Sequence, residues 1–254
     1  MGFADLHIHS IHSHDGTAPI PAILKYVADH TNLNVIAITD HDKVTGLREA
    51  IALGPKYGID VIPGCEVSTA QGHLLTLFVT QAVPAGLSVI ETIKRVGQMG
   101  GLCIIPHPEA PGIGGLKAYA INAALSDTEA AKFLVGIETF NGGLVFPRSN
   151  QIAQGIGGRL NLARVGSSDA HIITCIGDGK TEFEGSTAAD LRTALEQRAT
   201  TPHFCPEQGP IVLGRWFPHF VMRKMGWVAW NEDPSERMRY VRVAQAQAGT
   251  ARFE

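Results

Sequence analysis

The chain is poor in charge, in aromatics and in cysteine. Charged residues make up 18% of its 254 positions and aromatic residues 7%. No apolar run approaches the roughly 20 residues that cross a membrane. The first residues reach Asp5 and His7 without a basic stretch followed by an apolar core, so no secretory leader is expected. Leu6 stands where N-myristoylation after Met1-Gly2 would want Ser or Thr. The 4 cysteines (Cys65, Cys103, Cys175 and Cys205) are scattered and form no CxxC pair. That argues against a zinc ribbon or a disulfide scaffold and makes a reducing, cytoplasmic setting the expectation. Internal repeats and low-complexity tracts are also missing. With 44% hydrophobic residues, the length suits one large compact domain or at most two small ones. What the chain does have is histidine, 11 in all, more than Phe, Tyr or Trp.

Short apolar runs alternate with helical stretches. Runs of strand length occur at Phe3–Ile8, Val35–Thr39, Asp60–Pro63, Leu74–Val79, Leu102–Ile105, Leu134–Ile137 and Ala163–Val165. Several are continuously apolar, as strands covered on both faces are. Between them, Ile23/Val27 and Leu47/Ala50/Ile51 recur at helical spacing. Ser88-x-x-Glu91 and Ser126-x-x-Glu129 resemble capping boxes that open helices, and Leu191/Ala194/Leu195 mark a last amphipathic helix. Alternating strands and helices over some 200 residues predict a parallel α/β fold, either a barrel or a doubly wound sheet.

The histidines and acids track the strand ends. His7 and His9 lie two residues apart in the first run and so point to one face. A polar, loop-like stretch follows, from Ser10 through His12, His14 and Asp15 to Gly16, which allows a turn. The second run passes directly into Asp40-His41-Asp42; Asp42 suits a helix cap, but His41 has no such task. Later runs end in Glu66, His107, Glu138 and Asp169-Ala170-His171, and His73 precedes the Leu74–Val79 run. In parallel α/β folds ligands bind at the carboxyl ends of the strands. One such ending is unremarkable, but five or six imply a shared polar pocket.

Imidazoles and carboxylates without thiolates suit zinc, iron or manganese. Nine candidate donors exceed the four to six positions of one ion, which implies two or three ions with a bridging carboxylate. Clustered divalent ions favour phosphate ester hydrolysis, because they polarise the phosphoryl group and generate a hydroxide nucleophile near neutral pH.

Asp5-Leu6-His7-Ile8-His9-Ser10, Ile38-Thr39-Asp40-His41-Asp42, Gly64-Cys65-Glu66, His107-Pro108 and Ser168-Asp169-Ala170-His171 together resemble the successive motifs of the PHP (polymerase and histidinol phosphatase) superfamily. The resemblance runs from residue 5 to about 200. Amidohydrolases share the first HxH, but the Ile-Thr-Asp-His-Asp ending is not theirs. The resemblance implies a distorted seven-stranded (β/α) TIM-like barrel over residues 1–205, with a short C-terminal extension over 206–254. It implies a trinuclear centre with one ion on His7, His9, Glu66 and Asp169. A second would share Glu66 and add His73 and His107, and a third would take Asp15, His41 and His171. Asp169 and His171 would also serve catalysis, and Arg148 would contact the phosphate. Asp5 and Asp40 would orient ligands rather than bind metal.

The activity expected is hydrolysis of a small phosphomonoester, of nucleotide or sugar phosphate type. The alternatives are a phosphodiesterase or 3'-5' exonuclease on nucleic acid and a metal-bound regulatory module without turnover. A nuclease calls for a basic track. Only the segment from Arg215 onward supplies one, with seven basic and four acidic residues, while the rest of the chain is acidic. That segment also holds all 3 tryptophans, Trp216, Trp227 and Trp230. It is expected to pack its aromatics on the barrel, with an oligomer contact or membrane-surface attachment as alternatives.

Overall fold

The computed structural model of the chain describes residues 1–144, 147–204, 210–230 and 239–242. Seven strands match the seven apolar runs: β1 (Gly2–Ile8), β2 (Val35–Ile38), β3 (Asp60–Thr69), β4 (Gly72–Leu77), β5 (Leu102–Ile105), β6 (Leu134–Asn141) and β7 (Ala163–Ser167). They are neighbours in sequence order, and β8 (Gly179–Phe183) and β9 (Thr200–Phe204) extend the sheet beyond β1. The sheet curls almost closed. Just past β7 the His9 N–H donates to the Ala170 carbonyl at 2.9 Å and the Ala170 N–H to that of His7 at 3.3 Å. Lower down, β8 lies against β7, with Thr181 Oγ1 donating to the Gly166 carbonyl at 2.8 Å. The fold is therefore α/β with a distorted TIM-like barrel.

Every strand from β1 to β8 contributes to one buried cluster that includes Leu6, Ala37, Ile62, Leu75, Ile104 and Val165. The helix α6 (Ala188–Gln197) adds Leu191 and Leu195 to it. Because α6 touches β3, β6, β7 and β8, which lie apart in the sheet, it plugs one end of the barrel. The remaining helices α1 (Ile20–His30), α2 (Leu47–Leu53), α3 (Val89–Gln98), α4 (Ala118–Ser126) and α5 (Pro147–Gly157) complete the α/β alternation. Two outer clusters seat α1 and α2 on one flank of the sheet and α3 and α4 on another.

The sheet mixes four parallel pairings with four antiparallel ones: β8 runs against β1 and β9, and β4 against both β3 and β5. A tight turn at Ala70-Gln71 makes β3 and β4 a hairpin. The start of β4 thus lies at the same rim as the ends of β3 and β5, and β4 is the distortion in the barrel.

Ser88 caps α3 as expected, accepting the Glu91 N–H. Ser126-x-x-Glu129 does not open a helix. Ser126 ends α4, and the Asp127 carboxylate instead accepts the Glu129 and Ala130 N–H groups at the head of a short turn. The helix expected to be last is followed by α7 (Pro210–Lys224), whose periodicity is masked by Gly214 and Pro218, and then by the hairpin β10 (Trp227–Trp230) and β11 (Arg239–Arg242). The expected boundary at 205/206, Cys205 and Arg237 lie outside the described residues.

Candidate metal centre

Two local devices aim β1 at the rim. Its pairing with β2 shifts register between Asp5 and Ile8. Leu6 therefore enters the barrel interior and Ile8 the outer core, while His7 and His9 both face the rim with ring centroids 5.1 Å apart. Beyond β1 the chain folds sharply back. A side chain at Gly16 would come within 2.0 Å of the Ser10 carbonyl oxygen, so only glycine permits the loop that presents Asp15. Ser13 Oγ holds one Asp15 oxygen at 2.6 Å, leaving the other to the site.

All nine predicted donors converge, and Glu66 is their hub. Its Oε2 lies 3.1 Å from His7 Nε2 and 3.3 Å from both His9 Nε2 and His41 Nδ1. Its Oε1 lies 2.9 Å from His73 Nδ1 and 3.1 Å from His107 Nε2. Asp169 Oδ1 faces His7, His9 and His171 at 3.3, 3.2 and 3.6 Å. Asp15 Oδ2 faces His171 Nε2 at 3.1 Å and His41 Nε2 at 3.4 Å. His73 reaches the rim because its strand runs backwards. Of the two neighbours of Asp15, His14 sits at the exposed edge, and His12 turns its ring toward Gly46.

The tautomers are set by outer partners. His7 Nδ1 lies 2.9 Å from Glu138 Oε1, and a nitrogen facing an ionised carboxylate carries the proton. His171 Nδ1 lies 2.8 Å from the Asp169 carbonyl oxygen and must donate to it. Both rings thereby turn Nε2 toward the cluster's carboxylates, the nitrogen that would ligate an ion on giving up its proton. Glu138 also accepts the His107 N–H and the Asn141 amide, each at 2.8 Å, and Asn141 braces Asp169 Oδ2 at 3.2 Å. This bracing by Glu138 and Asn141 was missed in the sequence, although the stretch after Leu134–Ile137 carries both residues. Asp5 and Asp40 touch no donor side chain. Asp40 accepts from the Ser10 backbone and hydroxyl, both at 2.6 Å, and Asp5 accepts the Ser168 and Gly177 N–H groups. Burial pushes the Asp5 carboxyl up to about 6 against those bonds.

Burial disfavours charge on Glu66, Asp169, His7 and His9, yet the field of their neighbours outweighs it. Glu66 and Asp169 are held well below the usual carboxylate range by His7 and the imidazoles around them. His9 is raised to about 10 by Asp169 and Glu66, and His7 is raised well above its ordinary value by Asp169, Glu66 and Glu138. Carboxylates this deeply buried need positive charge, and protons on the imidazoles are the makeshift supply. His9 Nδ1 and Nε2, His73 Nδ1 and His107 Nδ1 are buried without a well-formed hydrogen bond. The donor set fits cations. Four subsets bring three or four donor atoms within 4.8 Å of one another: His9/Asp15/His41/His171, His7/His9/Glu66, His7/His107/Asp169 and His41/Glu66/His73. Among the described residues no thiolate competes, since burial pushes the Cys65 and Cys175 thiols up to about 12 and raises that of Cys103 as well.

Three of the six non-glycine residues with positive φ in the described chain, Asp42, His107 and Asp169, lie at this rim. Such conformations cost of order 1–3 kcal/mol each and persist where surrounding structure enforces them. Asp42 does not cap a helix; it accepts the Ser68 N–H and hydroxyl at 2.7 and 2.8 Å.

The cluster forms the floor of a cavity of about 610 Å³, and Lys43 is the one Lys or Arg lining it among the described residues. Arg148 is not there. It is exposed on α5 and lines a separate cleft with Ile152 and Arg159, because Ser149, Asn150 and Ala153 take the inward face of that helix. Of the three tail tryptophans, Trp216 packs on the barrel core. Phe217 and Met225 remain exposed. No helix among the described residues is long and apolar enough to cross a membrane.

The family described as PHP domain matches residues 5–141, and the one described as PHP-associated matches 147–200. The chain is 28% identical over 245 residues to the 5'-3' exoribonuclease of Haemophilus influenzae, covering 91% of this chain and 77% of that protein. It is 35% identical over 124 residues to the 3',5'-nucleoside bisphosphate phosphatase of Chromobacterium violaceum, covering 45% of this chain and 41% of that protein. A crystal structure from Bacteroides vulgatus, of a two-domain protein containing a predicted PHP-like metal-dependent phosphoesterase, superposes with a TM-score of 0.63 at 20% identity. That match covers 95% of this chain and 75% of that one, and it is a likeness of fold.

Proposed function

We infer that this chain, which belongs to the PHP domain family, is a metal-dependent phosphoesterase acting on a small phosphomonoester of nucleotide or sugar phosphate type. The observation that carries the reading is the convergence of nine imidazole and carboxylate donors, with Glu66 and Asp169 at their centre, on the floor of one cavity. We assign them to two or three divalent ions of zinc, manganese or iron. His7, His9, Glu66 and Asp169 would hold the first, Glu66, His73 and His107 the second, and Asp15, His41 and His171 the third. When bound, such ions polarise the phosphoryl group and bring the pKa of water toward 7.

The chain's own groups do the rest. Glu66 joins two of the three donor sets and fixes their spacing. Glu138 and the Asp169 carbonyl hold His7 and His171 in the tautomers that present Nε2. Asp169 Oδ2, which faces the Asn141 amide rather than the imidazoles, is the atom we assign to hold and move the reaction's proton, and His171 Nε2 is reserved for its ion. Lys43 replaces Arg148 as the cation that meets the phosphate's charge at the cavity wall. The reaction is assigned to the cytoplasm, where the thiols stay unpaired.

A second reading, cleavage of oligonucleotides, draws on the likeness to the exoribonuclease. Two arginines of the basic track it needs, Arg215 and Arg223, are committed internally. Arg223 donates to the Ile11, Ser13 and Gly16 carbonyls, and Arg215 to that of Thr174 while pairing with Asp178 at 3.6 Å. The deciding assay supplies manganese and compares nucleoside monophosphates and bisphosphates, sugar phosphates and a short oligoribonucleotide. Phosphate release from the small monoesters, with kcat/KM well above that for the oligonucleotide, is expected. Stepwise shortening of the oligonucleotide with no attack on free monoesters would overturn the first reading. A protein that takes up no metal and hydrolyses none of them would overturn both.

A further inference from the structure

The helix α7 lies beyond both matched segments, which end at residues 141 and 200, yet it forms part of the cavity wall. Two arginines, two turns apart, pin it across the rim. Arg215 bonds the Thr174 carbonyl at 2.9 Å, and Arg223 bonds that of Ile11 at 2.9 Å in the loop that carries Asp15. Between them stands Trp216. Its ring is edge-on to that of His171, with centroids 6.4 Å apart, and stacks on Phe220 at 4.4 Å.

Trp216 has no task in holding ions, because the indole N–H is a donor only. Nor does packing use it up, since it is only half-buried against the core and its remaining surface lines the cavity. Ile113, Ile172 and Cys175 continue the apolar surface beside it. The cavity therefore has two chemical halves, a floor of imidazoles and carboxylates and an aromatic, apolar wall one ring contact away. A sugar phosphate complements only the floor. A nucleotide complements both, with its phosphoryl group at the floor and its base against the indole, because every base offers a π-face for stacking.

We propose that Trp216 is the specificity-determining residue of this site and stacks on the base of a nucleotide substrate. The proposal rests on the phosphomonoester reading above and narrows its substrate class to nucleoside phosphates. Hydrolysis of adenosine 5'-monophosphate and of ribose 5-phosphate is compared for the wild type, Trp216→Leu and Trp216→Phe. Trp216→Leu is expected to raise KM for the nucleotide about tenfold, with kcat and the KM for ribose 5-phosphate little changed. Trp216→Phe restores most of the loss. Separately, adenosine 5'-monophosphate is expected to quench the tryptophan fluorescence of the chelator-treated wild type but not of Trp216→Leu. An unchanged nucleotide KM in Trp216→Leu, or an equal rise for both substrates, overturns the proposal and leaves hydrolysis standing. Quenching lost in Trp216→Leu, with no hydrolysis of either substrate by the wild type, overturns the phosphomonoester reading and leaves the base site standing. Absence of both signals in the wild type overturns both.

Discussion

Two histidine-bearing clefts among the described residues are built on opposite stoichiometry. In the lateral cleft of about 500 Å³ between α1 and β8–β9, groups pair one to one. His203 meets Glu182 and stands edge-on to Phe3, Lys180 donates to Asn32 at 2.7 Å, and the His30 ring lies 4.9 Å from that of Tyr26. In the central cavity five imidazoles crowd one carboxylate, Glu66, and three share Asp169. One-to-one pairing satisfies polar groups and needs nothing further. Many donors on few acceptors leave lone pairs and charge unmatched, and a cation resolves both. Convergence, rather than histidine itself, marks the site.

The comparison is open to three tests of decreasing effect. Glu66→Gln removes the shared acceptor while keeping its shape. Bound metal, measured by elemental analysis, should drop, and phosphatase activity should fall beyond the roughly 100-fold that outer partners of a metal site cost. Full metal content in this variant would break the contrast between the clefts. The second test uses pH. The Glu66 and Asp169 field outweighs burial at His9 and raises it to about 10, so its proton stabilises the fold fully below the ordinary value near 6.5. That contribution is lost as pH rises through about 10. The Tm of chelator-treated protein should therefore fall between pH 7 and 10, and added manganese should flatten the fall by taking the protons' place. The same slope with and without manganese would refute it. The third test is His203→Ala in the lateral cleft, which should change stability by less than about 1 kcal/mol, as half-exposed pairs do, and leave metal content and activity untouched. A loss of metal there would show the clefts to be coupled.

The donors were legible in the sequence because parallel strands deliver their ends to one edge, so a histidine or acid after an apolar run has a predictable address. His73 was the exception. Nothing local in Leu74–Val79 states that the strand runs antiparallel; that follows from the short turn at Ala70-Gln71 and from pairing with β5. Arg148 failed for a related reason. It lies on α5, and which side of that helix it occupies depends on helical phase, fixed by Asn150 bonding back to Asn141. The strands β8 and β9 carry Gly, Lys, Thr and Pro, and their periodicity is too weak to stand out. Glu138 was visible as a strand ending, but its partnership with His7 joins residues 131 positions apart and needed the fold.

The barrel's closing seam has a consequence for assembly. The ladder that shuts it runs through His7, His9 and Ala170, so donors stand on both of its edges: His7 and His9 on one, Asp169 and His171 on the other. These edges are about 160 residues apart in the chain, as the bond from Ser168 Oγ to the His7 carbonyl illustrates. Contacts so distant along the chain are slow to form. A nascent chain with the seam still open leaves the first proposed donor set without Asp169 and the third without His171. Filling those two sets would then act as a clasp that reports finished folding, whereas Glu66, His73 and His107 come together without it.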